Sequence, residues 1–243
     1  GSGDTATIGS AYTVTVGVGS PYRVGGVTVN SGGTLVLASG LQSSGIFQVN
    51  GTLQMNGGGY VSLGTRPTYS TGSTLVYNTD YNITTSEWDQ NVASGAGVPY
   101  NVEIVSGKSV SYNGAFFPRT AQGNVTLSGT LTLGGANESN FGDLKIGGNL
   151  TRGSSGTLTT NSRAIWFNES NDQTIAVTGG GTLSVEYLIV DKSGGNLKLS
   201  SSPATDVTIT AASADPLQII NNGGIDLNGR TLTLSGSGGN LKV

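Results

Sequence analysis

The chain has 243 residues, among them 41 glycines, with 10% charged residues and a net charge of −3. That balance offers no basic patch to neutralise phosphates, which argues against nucleic-acid binding. Neither cysteine nor histidine is present, so disulfides and thiolate metal sites are excluded and the commonest general base is missing; no apolar run approaches the ~18–20 residues of a membrane-spanning helix.

Residues 1–63 are dense in short strands. Asp4-Thr5-Ala6-Thr7-Ile8 and Tyr12-Thr13-Val14-Thr15-Val16 alternate with period two, which turns one face inward. Val27-Thr28-Val29-Asn30 follows. Asn30-Ser31-Gly32-Gly33 and Asn56-Gly57-Gly58-Gly59 read as turns, because Asn and Gly tolerate positive φ. Residues 64–123 are less regular: Arg66-Pro67 interrupts a strand, and Tyr69, Tyr77, Tyr81, Trp88, Tyr100, Tyr112, Phe116 and Phe117 gather there. This pattern predicts coils that carry longer excursions on one side, with one short helical turn compatible with Ser86–Gln90. Residues 124–243 return to regular strands separated by Gly or Asn-Gly corners. Ala164-Ile165-Trp166-Phe167 and Tyr187-Leu188-Ile189-Val190 are apolar at consecutive positions, which predicts strands covered on both faces. No helix of two turns or more is predicted.

One phrase recurs along the chain: a turn residue, then Thr-Leu, then usually a polar or β-branched residue. It stands at Gly33-Thr34-Leu35, Gly51-Thr52-Leu53, Ser73-Thr74-Leu75, Gly129-Thr130-Leu131, Gly156-Thr157-Leu158, Gly181-Thr182-Leu183 and Arg230-Thr231-Leu232. A strand returning at this interval predicts an all-β fold: a single-stranded parallel β-helix, or β-solenoid, with ~20–28 residues per coil and longer loops in the middle third. About ten coils would make a rod of roughly 50 Å. In this reading 1–63, 64–123 and 124–243 are parts of one continuous domain, and Leu35, Leu53, Leu131, Leu158, Leu183 and Leu232 stack in a column.

The order of several phrases resembles the repeat regions of large secreted surface proteins of Bacteroidota, adhesin-like cargo of the type IX secretion system. They include Gly3-Asp4-Thr5-Ala6-Thr7-Ile8, Gly72-Ser73-Thr74-Leu75-Val76-Tyr77-Asn78, Glu87-Trp88, Pro99-Tyr100-Asn101-Val102, Asp172-Gln173-Thr174-Ile175, Tyr187-Leu188-Ile189-Val190-Asp191-Lys192 and Gly224-Ile225-Asp226-Leu227-Asn228-Gly229. The resemblance covers nearly the whole chain. It implies a secreted or cell-surface β-solenoid, with the secretion machinery engaged through a segment outside this sequence. The closing Gly238-Gly239-Asn240-Leu241-Lys242-Val243 copies Gly194-Gly195-Asn196-Leu197-Lys198-Leu199, so a longer natural polypeptide is expected.

No catalytic or metal-binding residue is assigned, and no cofactor is expected. A glycosidase would need two carboxylates at a fixed separation, and Asp80, Glu87 and Asp89 are the acids on offer. Sparse and scattered as they are, they read as solvated loop groups. Calcium needs clustered carboxylates, which the sequence lacks. Tyr81, Trp88 and Tyr100 are the candidates for stacking on sugar rings, against the alternative that they plug the solenoid wall; Trp166 is read as packing. Thr5, in Asp4-Thr5-Ala6, resembles the O-glycosylation motif of Bacteroidota surface proteins. Asn50, Asn82, Asn124, Asn137, Asn149 and Asn168 begin Asn-x-Ser/Thr triplets, which an Asn- and Thr-rich chain produces by chance.

The leading expectation is a non-catalytic structural or adhesive segment of an extracellular bacterial surface protein. Its partners would be surface glycans or other surface proteins. The alternatives are a carbohydrate-binding or polysaccharide-degrading β-helix using residues 64–123, an ice-binding solenoid built on Thr-x-Thr arrays, and a fibre subunit that associates end to end through open coil edges.

Overall fold

The computed structural model describes residues 3–90, 92–112, 117–134, 143–211, 215–236 and 241–243. Phe116, Asn137 and positions 238–240 of the closing copy lie outside them. The fold is a parallel β-solenoid of about nine turns. Glycine corners cut the alternating apolar pattern into strands of two to six residues. No strand is long enough to fold back on itself, so each pairs with its counterpart one coil later.

Each coil has three walls. The second is one sheet of ten parallel strands: Thr13–Val16, Thr34–Leu37, Thr52–Met55, Thr74–Tyr77, Asn101–Ile104, Val125–Leu127, Leu150–Arg152, Gln173–Val177, Asn196–Leu199 and Gly224–Asp226. It runs through all three stretches distinguished in the sequence. The first wall is two sheets, one from Thr5–Ile8 to Thr68–Tyr69 and one from Arg119–Ala121 to Leu241–Lys242. The third wall is three sheets, beginning at Tyr22–Val24, Tyr81–Asn82 and Gly181–Val185. Coil length is elastic. The step is 18 residues from Thr34 to Thr52 and 28 from Asn196 to Gly224, and the corners absorb the difference.

Register along the second wall lines up Leu35, Leu53, Leu75, Val102, Val125, Leu150 and Ile175, each over the next and none more than 2% exposed. A second inward file runs through Leu37, Met55, Tyr77, Ile104 and Leu127. This corrects the single leucine column expected from the repeat. Leu35, Leu53 and Leu75 belong to the second wall, whereas Leu131 and Leu158 pair with each other on the third. Leu183 and Leu232 also sit on the third wall, with Val207 between them. The phrase marks a corner, and it opens strands of both the second and the third wall.

The glycine of the phrase is fixed by close approach between rungs. A Cβ on Gly156 would lie 1.9 Å from the carbonyl oxygen of Leu127, and one on Gly129 would lie 2.3 Å from that of Lys108. No side chain fits there without moving the backbone of the previous coil.

A ladder of side-chain amides braces the corner between the first and second walls. Asn124 N donates to Asn101 Oδ1 at 2.9 Å, Asn149 N to Asn124 Oδ1 at 2.8 Å, and Thr174 N to Asn149 Oδ1 at 2.7 Å. Each corner Asn therefore satisfies a backbone N–H in the next coil. The Asn-x-Thr triplets at Asn124 and Asn149 have a structural origin: a corner Asn, an inward apolar residue, then an outward Thr.

The two strands read as covered on both faces are covered by their own neighbours. Ile165 and Phe167 point inward and Trp166 outward, paired to Lys145 and Ile189. Lys145 Nζ lies 4.1 Å from the Trp166 ring centroid, and outward Ile189 is only 6% exposed. A side-chain ladder, with no further layer of backbone, does the covering.

Candidate functional site

The regular pattern breaks in the fifth coil. Its second-wall strand is Asn101–Ile104, but among the described residues no first-wall strand precedes it. A single 3₁₀ turn, Ser86–Trp88, takes that place. It falls where the sequence allowed a short helical turn. Trp88 fills the lumen and is fully buried. Its ring stacks on Tyr77 at 6.4 Å and meets Tyr112 edge-on at 5.5 Å.

Hydrogen bonds tie this plug to the coils on either side. Tyr69 Oη donates to Glu87 O at 2.8 Å from the coil before, and Trp88 Nε1 donates to Thr120 O at 2.9 Å in the coil after. The plug therefore bridges the two sheets of the first wall. The Gly97 carbonyl accepts from Asp89 N at 2.7 Å, and Gly97 N donates to Pro67 O at 2.7 Å. Gly97 has φ +82°, and a Cβ there would sit 2.8 Å from Asp89 Cβ, so this return turn requires glycine.

Four ionisable groups, Glu87, Arg119, Asp89 and Arg66, sit at the break in different environments. Glu87 is fully buried; the Thr85 hydroxyl donates to its Oε2, and its Oε1 has no hydrogen-bond partner. Arg119 is 3% exposed. Its Nη2 donates to Ile83 O at 3.0 Å, and its guanidinium lies 5.1 Å from the Tyr112 ring centroid. Asp89 Oδ2 pairs with Arg66 Nε at 2.8 Å, and Asp89 Oδ1 accepts from Gln90 N at 2.9 Å.

Burial pushes the Glu87 carboxyl above the ordinary carboxylate range, against the pull of the Thr85 and Tyr81 hydroxyls, a backbone bond and the Arg119 charge. Burial likewise pushes up the phenols of Tyr69, Tyr77, Tyr81 and Tyr112, so all four stay neutral. A raised carboxyl value means the folded chain holds a proton that the unfolded chain has released. The stability from Glu87 is complete below its ordinary pKa of 4.5 and is lost as pH rises through the folded value. Glu87→Gln fixes the neutral form. Its urea midpoint should therefore fall less than that of the parent as pH rises above the ordinary Glu value of 4.5. Asp143 is shifted the same way by burial, but in both proteins, so it cancels; parallel pH profiles would contradict the assignment.

Two recesses flank the break. One, of about 270 Å³, is lined by Leu63, Ile83, Thr84, Thr85, Ser86, Asp89, Gln90 and Arg119. The other, of about 340 Å³, lies on the third wall among Asp80, Tyr81, Asn82, Ser109, Ser111 and Thr132, over Val110.

The residues singled out in the sequence are dispersed. Trp88 offers no face to solvent, so the sugar-stacking role gives way to the plug. Tyr81 is half-buried, its ring 5.2 Å from Tyr77 and its hydroxyl 3.0 Å from Thr85 Oγ1. Tyr100 is half-buried at the corner of the next coil, where its ring covers Gly123. The three make no common platform. Asp80 is exposed, with Oδ1 accepting from Ser109 N at 2.8 Å, so Asp80, Glu87 and Asp89 do not converge. Thr5 is exposed on the first strand. Among the described residues no three acids gather as a metal site would need.

Sequence reading missed Arg119, which stands 31 residues from Trp88 in the chain and packs on the same Tyr112 ring. It also missed Lys192, which is 0% exposed. Lys192 Nζ donates to Glu169 O at 2.6 Å, Asn171 O at 2.7 Å and Gln173 Oε1 at 2.8 Å. The one signal for it was a lysine at the end of an apolar strand, Tyr187–Lys192.

Comparison with known proteins adds one likeness. Over 160 residues, 59% of this chain, the sequence is 31% identical to the Adhesin BmaC autotransporter of Brucella suis biovar 1 (strain 1330). The chain is similar to an autotransporter adhesin. It spans about 4% of that protein's length. No family model and no solved structure matches the sequence. The adhesin likeness and the parallel β-solenoid agree with the surface-repeat character of the sequence.

Proposed function

We propose that this segment is a non-catalytic structural and adhesive β-solenoid of a bacterial surface or secreted protein. The observation that carries the reading is the ten-stranded sheet, continuous from Thr13–Val16 to Gly224–Asp226, in a chain similar to an adhesin. A sheet of that length makes a stiff rod of about 43 Å at the usual rung spacing, and its backbone ladders need no cofactor. The rod holds the irregular fifth coil away from the anchoring surface and presents it to a partner, a surface glycan or another surface protein. Export by a type IX route, as the Bacteroidota resemblance implies, belongs to this proposal; the Brucella relative is named an autotransporter.

The test is adherence. Beads coated with the purified segment should bind cell or abiotic surfaces several-fold above beads coated with an unrelated solenoid. Equal binding would remove the adhesive reading, and turnover of polysaccharides at enzymatic rates would remove the non-catalytic one.

Ice binding has less support. On the second wall the outward position two residues after the first Thr is held in turn by Thr15, Val36, Gln54, Val76 and Glu103. Thr130 and Thr132 lie over Thr157 and Thr159 on the third wall, which is an array of two coils. Thermal hysteresis should be absent in a nanolitre osmometer; a measurable gap would reinstate that reading.

A further inference from the structure

We propose that the recess beside the 3₁₀ turn binds the carboxylate of an acidic sugar, with Arg119 as the anion-recognising group. This rests on the adhesive reading and names a ligand class for it.

The chemistry comes from what the break leaves unpaired. Arg119 lines the recess, and its Nε and Nη1 have no hydrogen-bond partner, while Nη2 is held by Ile83 O. A buried guanidinium with free N–H groups favours an anionic acceptor. The nearby negative charge is already committed. Asp89 itself lines the recess, but its charge is offset by the Arg66 ion pair at Oδ2, and Oδ1 accepts from Gln90 N–H, which leaves the Arg119 charge over. Glu87 lies behind Thr85, with burial pushing it toward its neutral form. The recess therefore carries a positive excess.

The rest of the lining fits a sugar ring. Thr84, Thr85, Ser86 and Gln90 supply hydroxyl and amide groups suited to ring hydroxyls. Leu63, 74% exposed at the rim, supplies an apolar contact for the C–H face. A volume of about 270 Å³ lies just below the ~300–1,000 Å³ of drug-sized ligand sites, so the recess takes one ring and leaves the rest of a chain outside. The position is mechanically fixed, because the turn that forms it is bonded to the coils before and after.

The experiment is titration of the whole segment with glucuronate and galacturonate, followed by amide chemical shifts. Glucose, galactose and acetate serve as separate arms. Saturable shifts around residues 83–90 and 119, with a Kd of about 1 mM for a ligand of this size, are expected for the uronates. The neutral sugars and acetate should each bind at least about tenfold more weakly. Leu63→Ala and Gln90→Ala alter exposed rim positions and should weaken uronate binding without changing the urea midpoint. Arg119→Lys should weaken it at least as much while keeping the charge. No uronate binding, equal binding of acetate or of the neutral sugars, or binding untouched by the rim variants would overturn the proposal. Bead adherence is read separately, so a segment that adheres without binding uronates loses this site and keeps the adhesive function.

Discussion

Trp88→Ala is expected to destabilise the solenoid by about 3–5 kcal/mol, the usual range for truncating a buried Trp or Phe. The ring is fully buried, packs on Tyr77 and Tyr112, and donates to Thr120 O across to the next coil. Alanine leaves a cavity and an unpaired carbonyl together. Solenoid stability is roughly a sum of coil and neighbour terms, so the loss should concentrate where the two first-wall sheets meet. Urea unfolding should begin at lower urea than in the parent, and limited proteolysis should cut first within residues 84–98. Trp166→Ala is the control: that ring faces outward against Lys145, and its removal should cost clearly less. Equal losses would mean that Trp88 is not the plug.

Lys192→Met is expected to cost about 3 kcal/mol, because methionine preserves the stem and removes only the ammonium. The ammonium satisfies Glu169 O, Asn171 O and Gln173 Oε1. Gln173 Nε2 in turn donates to Ile146 O at 2.8 Å and Gly148 O at 2.7 Å. This chain of polar contacts links three successive coils at one corner, inside the barrel of the solenoid. Losing the donor takes the ammonium from the Glu169 and Asn171 carbonyls, leaves Gln173 Oε1 only the 3.3 Å bond from Glu169 N, and frees the corner at residues 168–172. Equilibrium unfolding should register the loss, and hydrogen exchange should accelerate at that corner. An unchanged midpoint would show that water replaces the ammonium at no cost.

The architecture was legible because the solenoid repeats its local chemistry. Gly-Thr-Leu encodes a tight corner followed by an inward leucine, and the interval between copies reports the coil. Which wall a copy occupies was not legible, since the same corner rule serves the second and the third. Val207 went unnoticed between Leu183 and Leu232 because the corner before its strand, Ser201-Ser202-Pro203-Ala204, turns without glycine. The chemistry of the middle third was not legible either, because Trp88, Tyr112 and Arg119 come together only when the coils stack. An exposed aromatic platform and a buried plug have the same composition, and the tie from Trp88 to Thr120 separates them. Lys192 and Gln173 were invisible for a related reason: they stand 19 residues apart in the chain and meet across a corner.

The solenoid depends on vertical stacking along the second wall, and the absence of native cysteine makes site-directed spin labelling direct. Label pairs joining Lys198 to Thr34, Thr52 or Thr74 occupy one outward file. Double electron–electron resonance should give about 34 Å for the Thr34 pair, falling by about 4.8 Å with each rung for the others. Separations that fail to shorten in equal steps, or that collapse to a single short value, would contradict the stacked solenoid.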